Sequence, residues 1–402
     1  MDNTNQHSNL SFYGLGIAPG ILEILKKISY TAPTPIQHQS IPIIIEGKDL
    51  VGIAQTGTGK TLAFGIPMMQ RLAASKGMGL ILLPTRELAL QIDSELRKIG
   101  NSIGLRTAVL IGGVSMKPQI EAIRRNPHII IATPGRLIDY LHHKTVSLKK
   151  VNILVLDESD RMLDMGFLPQ ISEILKDVPK ERQTMLFSAT ISPEIMRIAS
   201  VNMKLPIRVE IAPTGTTVDS VSQDIFIITR DAKLPLLEKV LNQRKGSTLI
   251  FTRTKYGAHR LARAVKAMGH SATEIHSNCS FAQRKNALEG FKAGKYRVLV
   301  ATDIMARGID VVDIELVINY DLPSQAEDYV HRIGRTARAG KEGHAISFVT
   351  PSEQGEIRAI EWLIRKKLNV STIPEFPTMQ FAKPRMVYSS EKRRRRKLGR
   401  TR

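Results

Sequence analysis

A single cysteine, Cys279, occurs in 402 residues, so no disulfide can form within the chain and a reducing compartment is expected. Acids are scarce beside bases: 37 Asp and Glu face 58 Lys and Arg, for a formal net charge of +21. No apolar run approaches the roughly 18–20 residues needed to cross a bilayer. The opening Met1-Asp2-Asn3-Thr4-Asn5-Gln6 lacks the basic and apolar regions of a signal peptide. No membrane association and a cytoplasmic location are therefore expected. Internal sequence repeats are also missing. What remains is a chain of ordinary hydrophobic content, 42 %, long enough for two domains with separate cores.

Residues 54–61 read Ala54-Gln55-Thr56-Gly57-Thr58-Gly59-Lys60-Thr61, directly after the apolar stretch Asp49-Leu50-Val51-Gly52-Ile53. A strand, a glycine-containing loop and then Gly-Lys-Thr form a phosphate cradle. Glycines let backbone N–H groups converge on a triphosphate, and the following helix points its positive end at it. Lys60 is placed to reach the β- and γ-phosphates, and the Thr61 hydroxyl to hold Mg²⁺. Ala54 stands where the generic pattern has glycine, and alone the string is compatible with an ordinary turn. Its flanks decide against that. Ile153-Leu154-Val155-Leu156-Asp157-Glu158 is an apolar strand ending in two carboxylates. Asp157 would hold the metal and Glu158 would orient or deprotonate the attacking water. Together these residues imply hydrolysis of a nucleoside triphosphate.

Part of the positive charge sits at the end of the chain, where Lys392 to Arg402 holds eight cations and no acid. A basic tail alone is as consistent with a solvated extension as with polyanion binding. On a nucleotide hydrolase whose folded part is also basic, nucleic acid becomes the expected partner.

Short apolar strands alternate with amphipathic helices along the chain, which implies parallel sheets with right-handed crossovers. Leu80–Leu83, His128–Ala132 and Thr184–Phe187 read as strands, and a helix from about Leu88 should stop at Gly100. The pattern lapses over Ala212-Pro213-Thr214-Gly215-Thr216-Thr217. It restarts with strands at Thr248–Phe251, Ala272–Ile275, Val298–Val300, Leu316–Ile318 and Ala345–Val349. The expected fold is α/β, with two tandem domains, each a mostly parallel sheet flanked by helices. The boundaries fall at residues 1–208 for the first domain, 209–219 for a linker, 220–374 for the second domain and 375–402 for a basic, disordered tail. Strand-ending loops gather on one edge of such a sheet, where ligands bind.

From about Phe12 to Val370 the chain resembles the DEAD-box RNA helicases of superfamily 2, a resemblance that implies two tandem RecA-like domains. The motifs occur in that family's order: Pro35-Ile36-Gln37, Ala54–Thr61, Pro84–Ala89, Gly112-Gly113, Thr133–Arg136, Asp157–Asp160, Ser188–Thr190, Phe251–Thr254, Ala301–Asp310 and His331–Gly340. Its compact size is similar to short bacterial members of the RhlE-like branch. Two positions depart from the family pattern. Ser29 replaces a usual glycine, and Ser159 replaces the usual alanine, so the acidic motif reads Asp157-Glu158-Ser159-Asp160.

The resemblance implies an RNA-stimulated ATPase that uses ATP and Mg²⁺ and locally separates short RNA duplexes without translocation. Gln37 would read adenine, with Tyr30 stacking on the base and Phe12 behind it; core packing is the competing role for both rings. Thr56, Gly57, Thr58, Gly59, Lys60 and Thr61 would hold the phosphates, and Gly308 and Asp310 the nucleotide from the second domain. RNA contacts would come from Arg86, Gly113, Thr133 and Arg136 in the first domain, and from Arg253, Gln283, Arg284 and Thr302 in the second. Such contacts point mainly at phosphates and 2′-OH groups, so little sequence specificity is expected. Ser188 and Thr190 would link the acidic motif to His331. Arg335 and Arg338 would act as arginine fingers, three positions apart so that a helical turn puts both on one face. The chain would act as a monomer, with ribonucleoprotein or RNA-decay partners. A DNA translocase and a non-hydrolysing RNA scaffold are the alternatives. The Gln37 segment argues against the first, and the intact Lys60, Asp157, Glu158 and Arg335 set against the second.

Overall fold

The computed structural model describes residues 10–55, 57–211, 221–303, 314–336 and 343–376, with Met379 and Phe381. Two seven-stranded sheets are present, and the chain divides into two compact units: the first takes residues up to 220 and also Glu274–Tyr296, the second most of the chain from Val221 on.

The first sheet comprises β1 (Leu50–Ile53), β2 (Met78–Leu82), β3 (Thr107–Leu110), β4 (Ile129–Ala132), β5 (Val151–Leu156), β6 (Gln183–Ser188) and β7 (Ile207–Glu210). Their order across the sheet is β3-β4-β2-β5-β6-β1-β7, and the pairings run parallel. Side chains alternate between two cores, as the period of a strand requires. Leu50, Ile81, Ile129, Ile153 and Met185 pack on one face, and Val51, Leu80, Ile130, Leu154 and Leu186 on the other. Apolar residues on both faces explain why these strands read as near-continuous hydrophobic runs.

The second sheet comprises β8 (Val221–Ile227), β9 (Thr248–Thr252), β10 (Ala272–Ile275), β11 (Val298–Thr302), β12 (Leu316–Asn319), β13 (Gly343–Val349) and β14 (Asn369–Val370). The order is β10-β11-β9-β12-β13-β8-β14. The alternating pattern had marked neither β3, β7, β8 nor β14. Three of these are sheet-edge strands, where one half-exposed flank dilutes the apolar signal. β8 carries Gln223 and Asp224 in its middle.

The helix predicted from Leu88 spans Arg86–Gly100, with the Thr85 hydroxyl accepting the Leu88 N–H at 3.4 Å. Gly100 is its last residue, but the left-handed turn comes at Gly104 (φ +74°), after a 3₁₀ turn over Asn101–Ile103. In both sheets the motif loops follow the C-terminal ends of the strands. The segment 212–217 and residues 382–402 lie outside the described residues. Among the described residues no helix is long and apolar enough to cross a membrane.

Candidate nucleotide and RNA sites

The loop after β1 turns through Gly57 (φ +86°) and Gly59 (φ +91°) into the helix Lys60–Ala74. Lys60 is buried, and its ammonium donates to the Ala54 carbonyl at 3.0 Å and to Glu158 Oε1 at 3.1 Å. Burial alone would lower the lysine pKa, but Glu158, Asp157 and Asp160 outweigh it and hold the ammonium above its ordinary value. Asp157, at the end of β5, is pushed well above the usual carboxylate range. Burial is the main cause; Lys60 opposes it, and the Glu158 and Asp160 carboxylates add to it. Glu158 has a left-handed backbone (φ +53°) and opens the short helix Ser159–Asp164. Its N–H donates to Asp157 Oδ1 at 2.9 Å. The Ser159 hydroxyl donates to the Leu156 carbonyl at 3.0 Å, so this added hydroxyl is satisfied inside the core.

Asp160 ties the acidic motif to the end of β6. Its Oδ2 accepts from the Ala189 N–H at 3.0 Å, the Thr190 N–H at 3.1 Å and the Thr190 hydroxyl at 3.3 Å. Ser188 donates to the Thr190 carbonyl at 2.7 Å and so rigidifies the same turn. The link expected from Ser188 and Thr190 to the acidic motif thus runs through Asp160, a residue to which the sequence reading gave no role of its own.

Gln37 lies in the first turn of the helix Pro35–Ile45 and closes a reciprocal cap with Thr34. Its Oε1 accepts the Thr34 N–H at 3.0 Å, and its Nε2 donates to the Gly59 carbonyl at 3.0 Å. A Cβ on residue 59 would stand 2.4 Å from that Nε2, so glycine is required there for the approach as well as for its φ. One N–H and one lone pair of the amide remain for a purine edge. Thr58 donates to the Gln55 carbonyl at 2.7 Å, and Thr61 is half-buried in the first turn of the helix Lys60–Ala74. The Tyr30 hydroxyl donates to Glu95 in a short hydrogen bond. Burial, reinforced by that carboxylate, raises the phenol pKa to about 12. Phe12 is buried in the core of the first unit, and Tyr30 packs against that core, so both rings have packing roles.

The loops after β2, β3 and β4 hold the other predicted residues of the first unit. Residue 113 has φ +70°, and a Cβ there would meet the Arg86 guanidinium at 2.0 Å; Arg86 thus lies directly over the Gly112-Gly113 backbone. Gln119, which the sequence reading missed, pins this loop. Its amide pairs with both the N–H and the carbonyl of Ile111, at 3.0 and 3.1 Å. Arg136 reaches the Val114 carbonyl at 3.4 Å and stacks over the Tyr140 ring at 5.9 Å. Thr133 precedes the same helix, Pro134–His142, as its cap residue.

In the second unit, Arg253 follows β9. Its N–H donates to Asp321 at 3.2 Å and its side chain to the Leu322 carbonyl at 3.1 Å. Thr302 ends β11. Gln283 and Arg284, expected in the second domain, begin the helix Phe281–Lys292, which groups with the first unit, where Arg284 Nε donates to Glu87 Oε1 at 2.8 Å. There Gln283 forms a capping box with Ser280, and Arg284 donates to the Cys279 carbonyl at 3.2 Å. The Gln283 amide oxygen is therefore already engaged in the cap.

His331 belongs to the helix Ala326–Ile333, with Nδ1 3.9 Å from the Asp328 carboxylate. Arg335 lies beyond this helix rather than inside it, in a turn closed by its own N–H on the Arg332 carbonyl at 3.1 Å. The helix itself ends at Ile333, with Gly334 as its cap, and the turn expected to carry both arginines runs on into residues outside the described ones. Arg335 is buried, and its Nε donates to the His331 carbonyl at 3.2 Å. Arg338, Gly308, Asp310 and Thr56 lie outside the described residues.

The residue that sequence reasoning passed over here is Arg332. It is only 1 % exposed. Its guanidinium forms a bidentate pair with Asp303 at 2.5 and 2.8 Å and reaches Asn319 Oδ1 at 3.0 Å and the Asp321 carbonyl at 2.6 Å. It also lies 4.9 Å from the Phe251 ring centroid. A signal was present: Arg332 shares the buried helix face of Tyr329 and Ile333, where a cation requires partners.

Two family models match the chain: DEAD/DEAH box helicase over residues 34–198, and helicase conserved C-terminal domain over residues 232–340. A protein of Debaryomyces hansenii named ATP-dependent rRNA helicase RRP3 is 43 % identical over 372 residues, covering 92 % of this chain and 78 % of that protein. Among solved structures, S. cerevisiae Dbp5 bound to RNA and ADP BeF3 superposes with a TM-score of 0.80 at 30 % identity, covering 90 % of this chain and 96 % of that one. Mss116p bound to ssRNA and AMP-PNP gives a TM-score of 0.81 at 29 % identity, covering 89 % and 78 %. On these matches the chain belongs to the DEAD/DEAH box helicase family, as a DEAD-box ATP-dependent RNA helicase.

Proposed function

We propose that this ATPase opens short RNA duplexes locally, or remodels RNA–protein complexes, by closing its two units over ATP and RNA. The observation that carries the reading is the buried pair of Lys60 and Glu158 at 3.1 Å. The phosphate-binding cation and the water-activating carboxylate neutralise each other. A γ-phosphate placed at Lys60 competes for the ammonium and releases Glu158 to accept a proton from the attacking water. Water oxygen bonds to phosphorus, the bond to the β-phosphate oxygen breaks, and ADP and phosphate leave. Gln37 joins adenine recognition to the same loop through Gly59.

The buried oxygen donors fit a hard cation: Asp157 and Thr61 would hold Mg²⁺, which supplies charge neutralisation on the phosphates. Arg335, with Arg338, supplies positive charge from the second unit as the phosphoryl group transfers. The stretch after β7 acts as the linker, starting later than the expected residue 209 because Val209 and Glu210 pair in the first sheet. Arg86, Gly113, Thr133, Arg136, Arg253, Arg284 and Thr302 take RNA phosphates and riboses. Structured ribosomal RNA is the first substrate to test, since the Debaryomyces relative is named an rRNA helicase. The protein acts as a monomer, with the cytoplasm as its location on the strength of the lone cysteine.

Strand separation of a short fluorescent RNA duplex, with ATP, tests the proposal in wild type and Arg335→Ala. Wild type should release the strand. Arg335→Ala should keep its melting temperature and bind RNA, yet lose hydrolysis and strand release by about 10³-fold or more. An early-melting variant, or one that hydrolyses ATP well, would make Arg335 a folding residue instead.

A further inference from the structure

We propose that the solvent face of the helix Lys255–Ala267 is a second RNA-docking surface, which takes backbone phosphates beyond those reached by the motif loops. This rests on the RNA-helicase reading above. The helix carries Lys255, Arg260, Arg263 and Lys266, with His259, and no acid along its whole length. Its apolar face, Ala258, Leu261, Ala262 and Val265, packs into the core of the second unit. At 100° per residue, Tyr256, His259, Arg260, Arg263 and Lys266 then fall on the opposite face, which is exposed. At about 1.5 Å per residue the cationic strip is roughly 20 Å long.

Exposed cations on globular proteins are commonly paired with acids four residues away. Here none of Arg260, Arg263 and Lys266 has an acid within ion-pair distance among the described residues. Cations of neighbouring elements add to this charge, alongside the acids Asp321 and Glu238. Arg260 acts together with Arg230 on Tyr320, opposing the burial and the Asp321 charge that raise that phenol. Beyond the C-terminus, burial and then Arg297 and Lys245 push the His270 imidazole down, with Glu238 the opposing acid. Tyr256 is 73 % exposed, with the Lys255 ammonium 5.2 Å from its ring centroid.

A row of unpaired cations beside an exposed aromatic ring suits a flexible polyanion whose bases can stack. An acidic protein surface would instead leave Tyr256 without a function. The contacts are to phosphate, so they raise affinity without sequence preference.

The test compares the full chain with Arg260→Gln/Arg263→Gln/Lys266→Gln. The control is Lys149→Gln/Lys150→Gln/Lys176→Gln, which removes the same charge from exposed positions of the first unit. Glutamine keeps helix propensity, so both variants should melt like wild type. Affinity for a long single-stranded RNA is measured against salt, and ATPase at saturating RNA alongside it. The helix variant should bind roughly ten-fold or more weakly at low salt, with a salt slope shallower by about 2–3 units, while saturated ATPase is unchanged. The control should stay close to wild type. A helix variant that binds like the control overturns the proposal. A wild type without RNA-stimulated ATPase overturns the underlying helicase reading instead.

Discussion

Ser29 at φ +64° and Glu158 at φ +53° are both non-glycine residues in the left-handed region, for different reasons. Glu158 is a candidate base at the turn where β5 meets a helix, and a sparsely populated backbone is common where a side chain must be aimed. Ser29 follows the helix Pro19–Lys27 and closes its end: the Tyr30 N–H bonds the Leu25 carbonyl at 2.9 Å and the Ser29 N–H the Lys26 carbonyl at 3.1 Å. That geometry favours glycine, the residue the family pattern has there. Ser29→Gly should therefore stabilise the protein by about 0.5–1 kcal/mol, read by chemical denaturation, without altering ATPase activity. An unchanged or lower stability would mean that Ser29 makes a compensating contact. Ser159 differs from Ser29. Its hydroxyl is bonded, its backbone is helical, and it fits the core without displacing Asp157 or Glu158.

Loops rather than helix faces carry the chemistry, and each is braced by a residue from elsewhere in the chain. Gly113→Ala adds a Cβ where the Arg86 guanidinium lies and strains a backbone at φ +70°. It should displace Arg86 and raise the RNA concentration for half-maximal ATPase several-fold, with RNA-free hydrolysis unchanged. Equal RNA dependence would remove this loop from the RNA contacts. Arg332→Ala removes a buried guanidinium and leaves the half-buried Asp303 without its partner, so a loss of about 1–3 kcal/mol is expected in thermal or denaturant unfolding. A loss below about 1 kcal/mol would show that water satisfies Asp303 readily.

These braces mark where the sequence stopped being legible. The phosphate loop, the acidic pair and the Arg-rich turn are short contiguous strings, so their residue types announce their chemistry. Gln37 to Gly59, Asp160 to Thr190, Gln119 to Ile111 and Arg332 to Asp303 join strands and helices through partners eight or more positions away. Only the folded sheet order brings those together. The edge strands β3, β7 and β14 were missed for a related reason, that half of their surface faces outward and the apolar pattern fades, although β10, also at an edge, was legible at Ala272–Ile275.

In the whole molecule, the residues proposed for one reaction are shared out between two units. The first unit holds Lys60, Asp157 and Glu158, while the second contributes the buried Arg335 and the cationic helix Lys255–Ala267. Under the proposed function, hydrolysis would depend on a second ligand that engages both units. RNA is that ligand in this account. The measurement that tests it most directly is steady-state ATP hydrolysis by the full chain, without nucleic acid, with single-stranded RNA, and with DNA of the same sequence. It is repeated for Glu158→Gln. The account predicts strong stimulation by RNA, weak or no stimulation by DNA, and ATP binding without turnover in Glu158→Gln. Hydrolysis indifferent to RNA, or near-normal RNA-stimulated turnover in Glu158→Gln, would contradict it.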